Sequence, residues 1–262
     1  LTPTPPSNPL LPFPVKTNRD VLLFEFLSGE VLVVGCDSAG GIGPKPLDKL
    51  KVDGFILGKF TARAALMEVL AVGANPVCVV DALGVEPEPL GAEILRGIRD
   101  EAEKAGLDPK LAVTGSTEKN IAVEQTGIGV TVVGTCRKEQ LKIGTAQAGD
   151  VVVAVGVPCV GAEVLAEENQ GKIAESTDVW ALRRLEFVHE IIPVGSTGIA
   201  HEVETLAKGA KLKFTIAEQQ EVDVKKSAGP ATVVLAALSE QKLSELKNAV
   251  SKPINCVAHL SN

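Results

Sequence analysis

Three acidic residues stand where a carboxylate is either costly or useful. Asp37 closes the run Val31-Leu32-Val33-Val34-Gly35-Cys36, and Asp81 closes Val77-Cys78-Val79-Val80. Ligands of α/β sheets gather at the carboxyl ends of strands, so both are candidates for binding a cation or a reacting hydroxyl. Capping a turn is the simpler role open to each. Glu68 lies in a segment, 62–72, whose other residues are apolar apart from Arg63. A helix apolar on every face is buried, and a buried carboxylate must meet a cation or hydrogen-bond donors. Arg63 is five residues away on another part of the helix surface, so an intrahelical pair is not the easy answer. Glu68 is therefore a metal or catalytic ligand, or half of a longer-range salt bridge.

Two polar loops follow apolar strands. Asp37-Ser38-Ala39-Gly40-Gly41-Ile42-Gly43-Pro44-Lys45 combines a hydroxyl (Ser38), close-approach glycines (Gly40, Gly41, Gly43) and a cation (Lys45), as a phosphate cradle would, though it is not a Walker A sequence. The second is Thr114-Gly115-Ser116-Thr117-Glu118-Lys119-Asn120. A plain loop of Ser and Thr turns is the alternative for both. His189 and His201 fall on expected helices and His259 near the C-terminus, with no spacing to Ser or Cys that suggests a nucleophilic triad. Cys36, Cys78, Cys136, Cys159 and Cys256 are odd in number, widely spaced and without a CxxC pair, which reads as reduced thiols in a cytoplasmic protein.

These residues need a scaffold, and the hydrophobic pattern supplies one. Residues 1–16 are rich in proline and nearly uncharged, an extended arm. Strands at 21–26 and 30–35 flank Leu27-Ser28-Gly29 as a hairpin, and the glycine loop 37–46 follows. Then come a helix at 61–72 stopped by Gly73, a strand at 77–80, a helix at 90–105, and strands at 111–113 and 127–134. A second series begins near Gly149-Asp150: strand 151–156, helices 161–169, 177–190 and 199–208, strands 211–216 and 231–235, helix 240–250 and strand 254–259. The expectation is an α/β protein of two domains, 17–146 and 147–262.

Composition narrows the partners. With 26 Lys and Arg against 33 Asp and Glu, the net charge is −7 and no dense basic block exists, which argues against nucleic acid and anionic membrane. Aromatic content of 3%, with no Tyr, removes the usual base-stacking platform. No apolar run approaches the roughly 20 residues of a membrane span, and no charged-then-apolar signal stands at the start.

In order, these segments resemble the superfamily of aminoimidazole ribonucleotide synthetase, thiamine-monophosphate kinase, selenophosphate synthetase and a hydrogenase maturation protein. The most specific block is 61–81, TARAALMEVLAVGANPVCVVD, an acid in a helix, then Gly-Ala-x-Pro, then an apolar strand ending in Asp, with Gly58 in the same pattern. AGDVVVAVG at 148–156 and GSTGIAHEV at 195–203 resemble segments of the superfamily's second domain. The resemblance covers about residues 18–260. It implies a two-domain fold with a sheet-mediated homodimer, an N-terminal domain that binds ATP, and Mg²⁺ ions held by acids. On that pattern Asp20, seventeen residues before Asp37, joins Asp37 and Glu68 as the metal ligands. Thiamine-monophosphate kinase has a further acid where Ser116 stands, and an Asp-x-Ser-Asp-Gly where this chain has Val194-Gly195-Ser196-Thr197-Gly198, so thiamine phosphate is not the expected substrate.

The local forms CDSAGGIG at 36–43 and TGSTEKN at 114–120 are most similar to a narrower branch, the α-ribazole kinases. What this implies is transfer of phosphoryl from MgATP to the 5′-hydroxyl of α-ribazole, a small nucleoside, in cobamide lower-ligand salvage. Lys45, Ser38, Gly40, Gly41, Gly43, Gly115, Ser116 and Thr117 would contact ATP and its phosphates, and Asp81 or Glu118 would orient the hydroxyl. Two other activities remain open: an ATP-dependent synthetase or cyclase, and a scaffold that binds nucleotide without turnover.

Overall fold

The computed structural model describes residues 14–218 and 221–262. Of the expected N-terminal arm, residues 1–13 lie outside the described residues, and Val15 and Lys16 already belong to the first strand. Two sheets hold the molecule together. The first runs β1-β2-β3-β6-β4-β5, from β1 (Val15–Asn18), β2 (Val21–Glu25), β3 (Glu30–Gly40), β4 (Asn75–Leu83), β5 (Val113–Thr117) and β6 (Gly127–Arg137). All its pairings are antiparallel except β4 with β5.

The strands run further than the sequence pattern suggests. β3 continues to Gly40, because each residue from Glu30 on finds a partner on β6 down to Gly40↔Gly127. The cluster at 114–117 is likewise strand: β5 begins at Val113, where 111–113 was expected, since the short helix α3 (Pro109–Ala112), capped by Asp108, takes Leu111 and Ala112. Backbone pairing to a neighbouring strand overrides the local turn chemistry of Gly, Ser and Thr.

Helix α1 (Gly54–Ala71) starts seven residues before the expected position, with the Asp53 side chain accepting from the Ile56 N–H at 2.8 Å as its N-cap. Gly58 inside it is a packing surface rather than a breaker. Helix α2 (Ala92–Lys104) crosses so closely that a Cβ on Gly58 would lie 2.0 Å from the Ile94 carbonyl oxygen, and one on Gly97 2.1 Å from that of Phe55. The all-round apolarity of α1 has its reason in position: it packs on β3, β4 and β6 on one side and on elements of the C-terminal half on the other.

That half is an antiparallel sheet, β8-β10-β7-β11-β9, made by β7 (Asp150–Gly156), β8 (Val188–Pro193), β9 (Lys213–Ile216), β10 (Val233–Ser239) and β11 (Ile254–Ser261). Around it lie α4 (Glu163–Asn169), α5 (Ser176–Arg184), α6 (Ile199–Ala210) and α7 (Leu243–Ala249). Alternation along β7 divides its side chains between two cores. Val151, Val153 and Val155 join the core that contains α1, whereas Val152 and Ala154 pack beneath α6. The helix expected over 177–190 ends at Arg184, and His189 is on β8, where pairing with β10 wins over helical periodicity.

Candidate active site

The tight connection between β1 and β2 is the two-residue turn Arg19-Asp20, with Arg19 at φ 54° as such hairpins require. This turn places Asp20 beside a cleft of about 740 Å³ between the two sheets. Asp37 and Ser38 reach the cleft from β3 and Glu68 from α1. From the C-terminal half come Ser196, Thr197, His201 and Glu202. The chain thus brings Asp20, Asp37 and Glu68 together, and adds an acid, Glu202, that sequence reading missed. The signal was present in GSTGIAHEV, where Glu202 sits on the buried side of α6 one turn past its glycine start.

The cleft carries more negative charge than its own cations neutralise. Burial, the nearby Asp20 and Glu202 together raise the Glu68 carboxyl well above its ordinary range, against the pull of Arg19. Asp37 is pushed up to about 6 by burial, with Asp20 adding to the effect. Burial also raises Glu202. Arg19 is engaged elsewhere, in an ion pair with Glu190 and a 2.7 Å bond to the Ile191 carbonyl.

Asp37, Ser38 and Gly229 also line an adjoining apolar cavity of about 430 Å³, the apolar half of the site. Ile56, Leu57 and Phe60 of α1 form one wall, Val164 and Leu165 of α4 another, and Ile42, Leu50 and Val52 the third. Thr61 has its hydroxyl proton spent on the Leu57 carbonyl at 2.9 Å, and Asp37 and Ser38 are the other polar side chains of the lining.

Asp81 lies in a separate pocket. It faces Val130 across β4 and β6, and Asp37 faces the same Val130 across β3 and β6, so the two acids share a row of the sheet about 10 Å apart. The Asp81 pocket, about 370 Å³, also contains Arg99, Thr114, Gly115, Ser116, Thr117 and Lys119. Asp81 Oδ2 is buried with no hydrogen-bond partner, and burial raises its carboxyl. Gly115 is required here, because a Cβ would stand 2.2 Å from Asp81 Cγ.

Other expected residues have structural occupations. Lys45 pairs with Glu86, which it holds down near about 2, and lines neither half of the cleft. The N–H groups of Gly41 and Gly43 donate to the carbonyls of Thr126 and Leu50 at 2.9 Å each. Gly40 lines the apolar half. Glu118 accepts from the N–H groups of Asn120 at 2.6 Å and Ile121 at 3.2 Å, the arrangement of a turn cap.

Among the described residues no group of three His, Cys, Asp or Glu side chains is assembled to hold a metal ion unaided. Mg²⁺ characteristically takes one or two carboxylates and completes its shell with water and substrate phosphates. Carboxylates that raise one another beside a cleft fit such an ion arriving with a nucleotide.

Residues 19–136 match the family model described as AIR synthase related protein, N-terminal domain. Thiamine-monophosphate kinase from Stenotrophomonas maltophilia K279a is a structural neighbour at TM-score 0.65 and 18% identity, over 95% of this chain and 89% of that one. The hydrogenase maturation protein HypE in complex with ATP superposes at TM-score 0.64 and 15% identity, over 88% and 77% of the two chains. T. maritima PurL complexed with ADP does so at 0.63 and 17%, over 95% of this chain and 42% of its own. No curated protein matches by sequence. The fold is therefore the AIR synthase-like α/β fold, and no helix among the described residues is long and apolar enough to cross a membrane.

Proposed function

We propose that this protein is an ATP-dependent kinase that phosphorylates the 5′-hydroxyl of a small nucleoside, with α-ribazole as the substrate. The observation that carries the reading is a site with an acidic half and an adjoining apolar half that share Asp37, Ser38 and Gly229. Phosphates and their cation suit the first. The second suits a base without exocyclic hydrogen-bonding groups, because its walls present almost none. A benzimidazole answers that description better than adenine.

Asp20, Asp37 and Glu68 would hold Mg²⁺ together with the nucleotide phosphates. When bound, the ion supplies charge neutralisation on the transferring phosphoryl group, the largest requirement of this reaction. The residues of the chain do the positioning. Ser38, at the junction, donates to a phosphate or to the ribose. Glu202, reaching in from α6, is the acid best placed to accept the acceptor hydroxyl's hydrogen bond and then its proton as the new O–P bond forms and the bond to the ADP oxygen breaks. Asp81, with Arg99 and Lys119 beside it, forms an accessory phosphate-facing pocket with Gly115, Ser116 and Thr117. Lys45, paired with Glu86, and Glu118, bonded to the N–H groups of Asn120 and Ile121, are given no role in this reading.

The outer face of the first sheet supports a homodimer. Leu22, Val34, Val133 and Cys78 form a cross-strand row on that face, and Leu22, Val77 and Val80 are exposed at 39–45%.

The test is incubation of the purified protein with MgATP and α-ribazole, with mass spectrometry for a product one phosphoryl group heavier and thiamine monophosphate as control. Product from α-ribazole alone establishes the kinase. Release of free phosphate with an amidine-forming substrate instead points to a synthetase, and ATP binding without turnover to a scaffold.

A further inference from the structure

Helix α4 forms a wall of the apolar half with few attachments. It is seven residues long and is flanked by Gly161 at φ 64° and Gly171 at φ 70°, both in open space. Only Val164 among its residues is buried, packed with Phe60, Cys159 and Ile173. Its polar tie to α1 is Glu168, which pairs with Lys59 at 2.8 Å and Arg63 at 3.0 Å; Glu163, at the other end, pairs with Lys226 at 2.7 Å. Arg63 is 1% exposed and bound at 2.7 Å to the fully buried Glu101, yet its Nε and Nη1 have no partner. Glu168 thus supplies the second carboxylate to a buried guanidinium, and removing it costs more than removing the surface pair at Glu163.

We propose that Glu168 is a positioning residue for the acceptor: by fastening α4 to α1 it fixes Val164 and Leu165 as the surface on which the acceptor's uncharged base packs. The inference rests on the reading of the apolar half as the acceptor's base pocket. A short helix between two glycines in the left-handed region, held by the packing of Val164 and one ion-pair tie to α1, loosens and swings outward when that tie is cut. Its opening has a built-in reporter. Cys159 is 1% exposed directly beneath Val164, its N–H bonded to Thr232 Oγ1 at 3.2 Å, and it reacts with a thiol reagent only when α4 lifts.

The experiment compares the full-length wild type with Glu168→Ala and Glu168→Asp. Iodoacetamide labelling is read peptide by peptide, so that Cys136, buried in the first sheet, reports on general unfolding. In Glu168→Ala, Cys159 labelling is expected to rise about tenfold with Cys136 unchanged. The KM for α-ribazole is expected to rise about tenfold while the KM for ATP moves less than about twofold, with Glu168→Asp restoring part of both effects. A parallel rise at Cys136, an unchanged Cys159, or an unchanged KM for α-ribazole beside a freed Cys159 overturns the proposal. If the wild type phosphorylates no nucleoside, the kinase reading falls separately. The positioning role is then decided by protection: α-ribazole must slow Cys159 labelling in the wild type and not in Glu168→Ala, and equal rates with and without it overturn the role.

Discussion

Arg19 and Glu190 form a buried ion pair that joins the β1–β2 turn to the second sheet, with the two side chains 5% and 0% exposed. Glu190 also collects the N–H groups of Gly144, Thr145 and Ala146 at 2.8–2.9 Å, so the segment linking the two sheets closes on the same carboxylate. Asp20 follows Arg19 directly, which makes this pair the anchor of one wall of the cleft. Burial brings the Arg19 guanidinium down to about 10, and it remains charged at neutral pH. Removing Arg19 leaves the buried Glu190 charge with its backbone N–H donors but no counter-charge, at a cost of up to about 3–5 kcal/mol. Arg19→Met is therefore expected to lower the stability of the whole chain by that amount in urea unfolding. A loss below about 1 kcal/mol would show that the three N–H groups hold the Glu190 charge without Arg19.

Glu68→Gln separates function from stability. The wild-type carboxylate sits among Asp20, Glu202 and Asp37, all of which oppose its ionisation. Replacing it by a neutral isostere relieves that repulsion, so the melting temperature is expected to hold or rise. Turnover is expected to fall by about two or more powers of ten, since stabilisation by a bound cation is worth several kcal/mol. Activity within about tenfold of wild type would remove Glu68 from the phosphate site.

The outer sheet face is tested by charge. Leu22 and Val34 are directly paired across β2 and β3 and carry no structural task in the interior. Leu22→Lys with Val34→Lys would set two cations opposite each other on a surface that a second copy must cover, without disturbing α1 on the other face. Sedimentation is expected to show a dimer for the wild type and a monomer for the double variant. A monomeric wild type ends the homodimer reading.

The elements that were legible in the sequence are those with a strong pattern and a local cause. The apolar circumference of the helix around Glu68 implied its burial, whereas Asp37 and Asp81, expected at strand ends, lie inside β3 and β4 and open into separate pockets. The start of α1 was missed because the apolar run was counted from Thr61, whereas the helix begins at Gly54, and Gly58 within it is needed by the backbone of α2 at Ile94. The glycine loop looked like a phosphate cradle because its composition was right. Whether the N–H groups of Gly41 and Gly43 are free depends on Thr126 and Leu50, and no local pattern reveals that. Glu202 was hidden for the opposite reason: an acid near a helix start is ordinary, and only the docking of the second sheet turns it toward Asp20.

Gly115 offers a test of the accessory pocket. Its missing side chain leaves room for Asp81, whose Cγ would be 2.2 Å and main-chain oxygen 2.4 Å from a Cβ. Gly115→Ala must displace either the carboxylate or the parallel pairing of β4 with β5. A cost of about 1–3 kcal/mol is expected in unfolding. If Asp81 faces phosphate during turnover, kcat falls about tenfold to a hundredfold as its position shifts. Undiminished kcat in a destabilised protein would assign Asp81 to the fold alone.

Asp48 links the apolar half to pH. Its carboxylate accepts from Lys45 N at 2.9 Å, Thr126 N at 2.8 Å and Thr126 Oγ1 at 2.7 Å, which pins the loop carrying Ile42 and Leu50. Against burial, the bonds from Thr126 and Lys45 hold its carboxyl below the ordinary value. A carboxyl lowered on folding stabilises the protein above its unfolded value of about 3.9, and that contribution disappears as pH falls through the folded value. Asp48→Asn keeps the shape and loses the charge, so at pH 7 it is expected to be less stable by about 1.5–3 kcal/mol, the worth of hydrogen bonds to an ionised group. Scanning the melting temperatures of both proteins from pH 7 to about 2 cancels the carboxylates they share, and the gap between them should narrow as pH falls below about 3.9 and close only beneath the lowered folded value. A gap that persists unchanged to the lowest pH would mean that the loop is held by the shape of the side chain and not by its charge. Where the gap does close, the KM for the nucleoside acceptor should already be raised in Asp48→Asn at pH 7, because the wall at Ile42 and Leu50 moves with the loop.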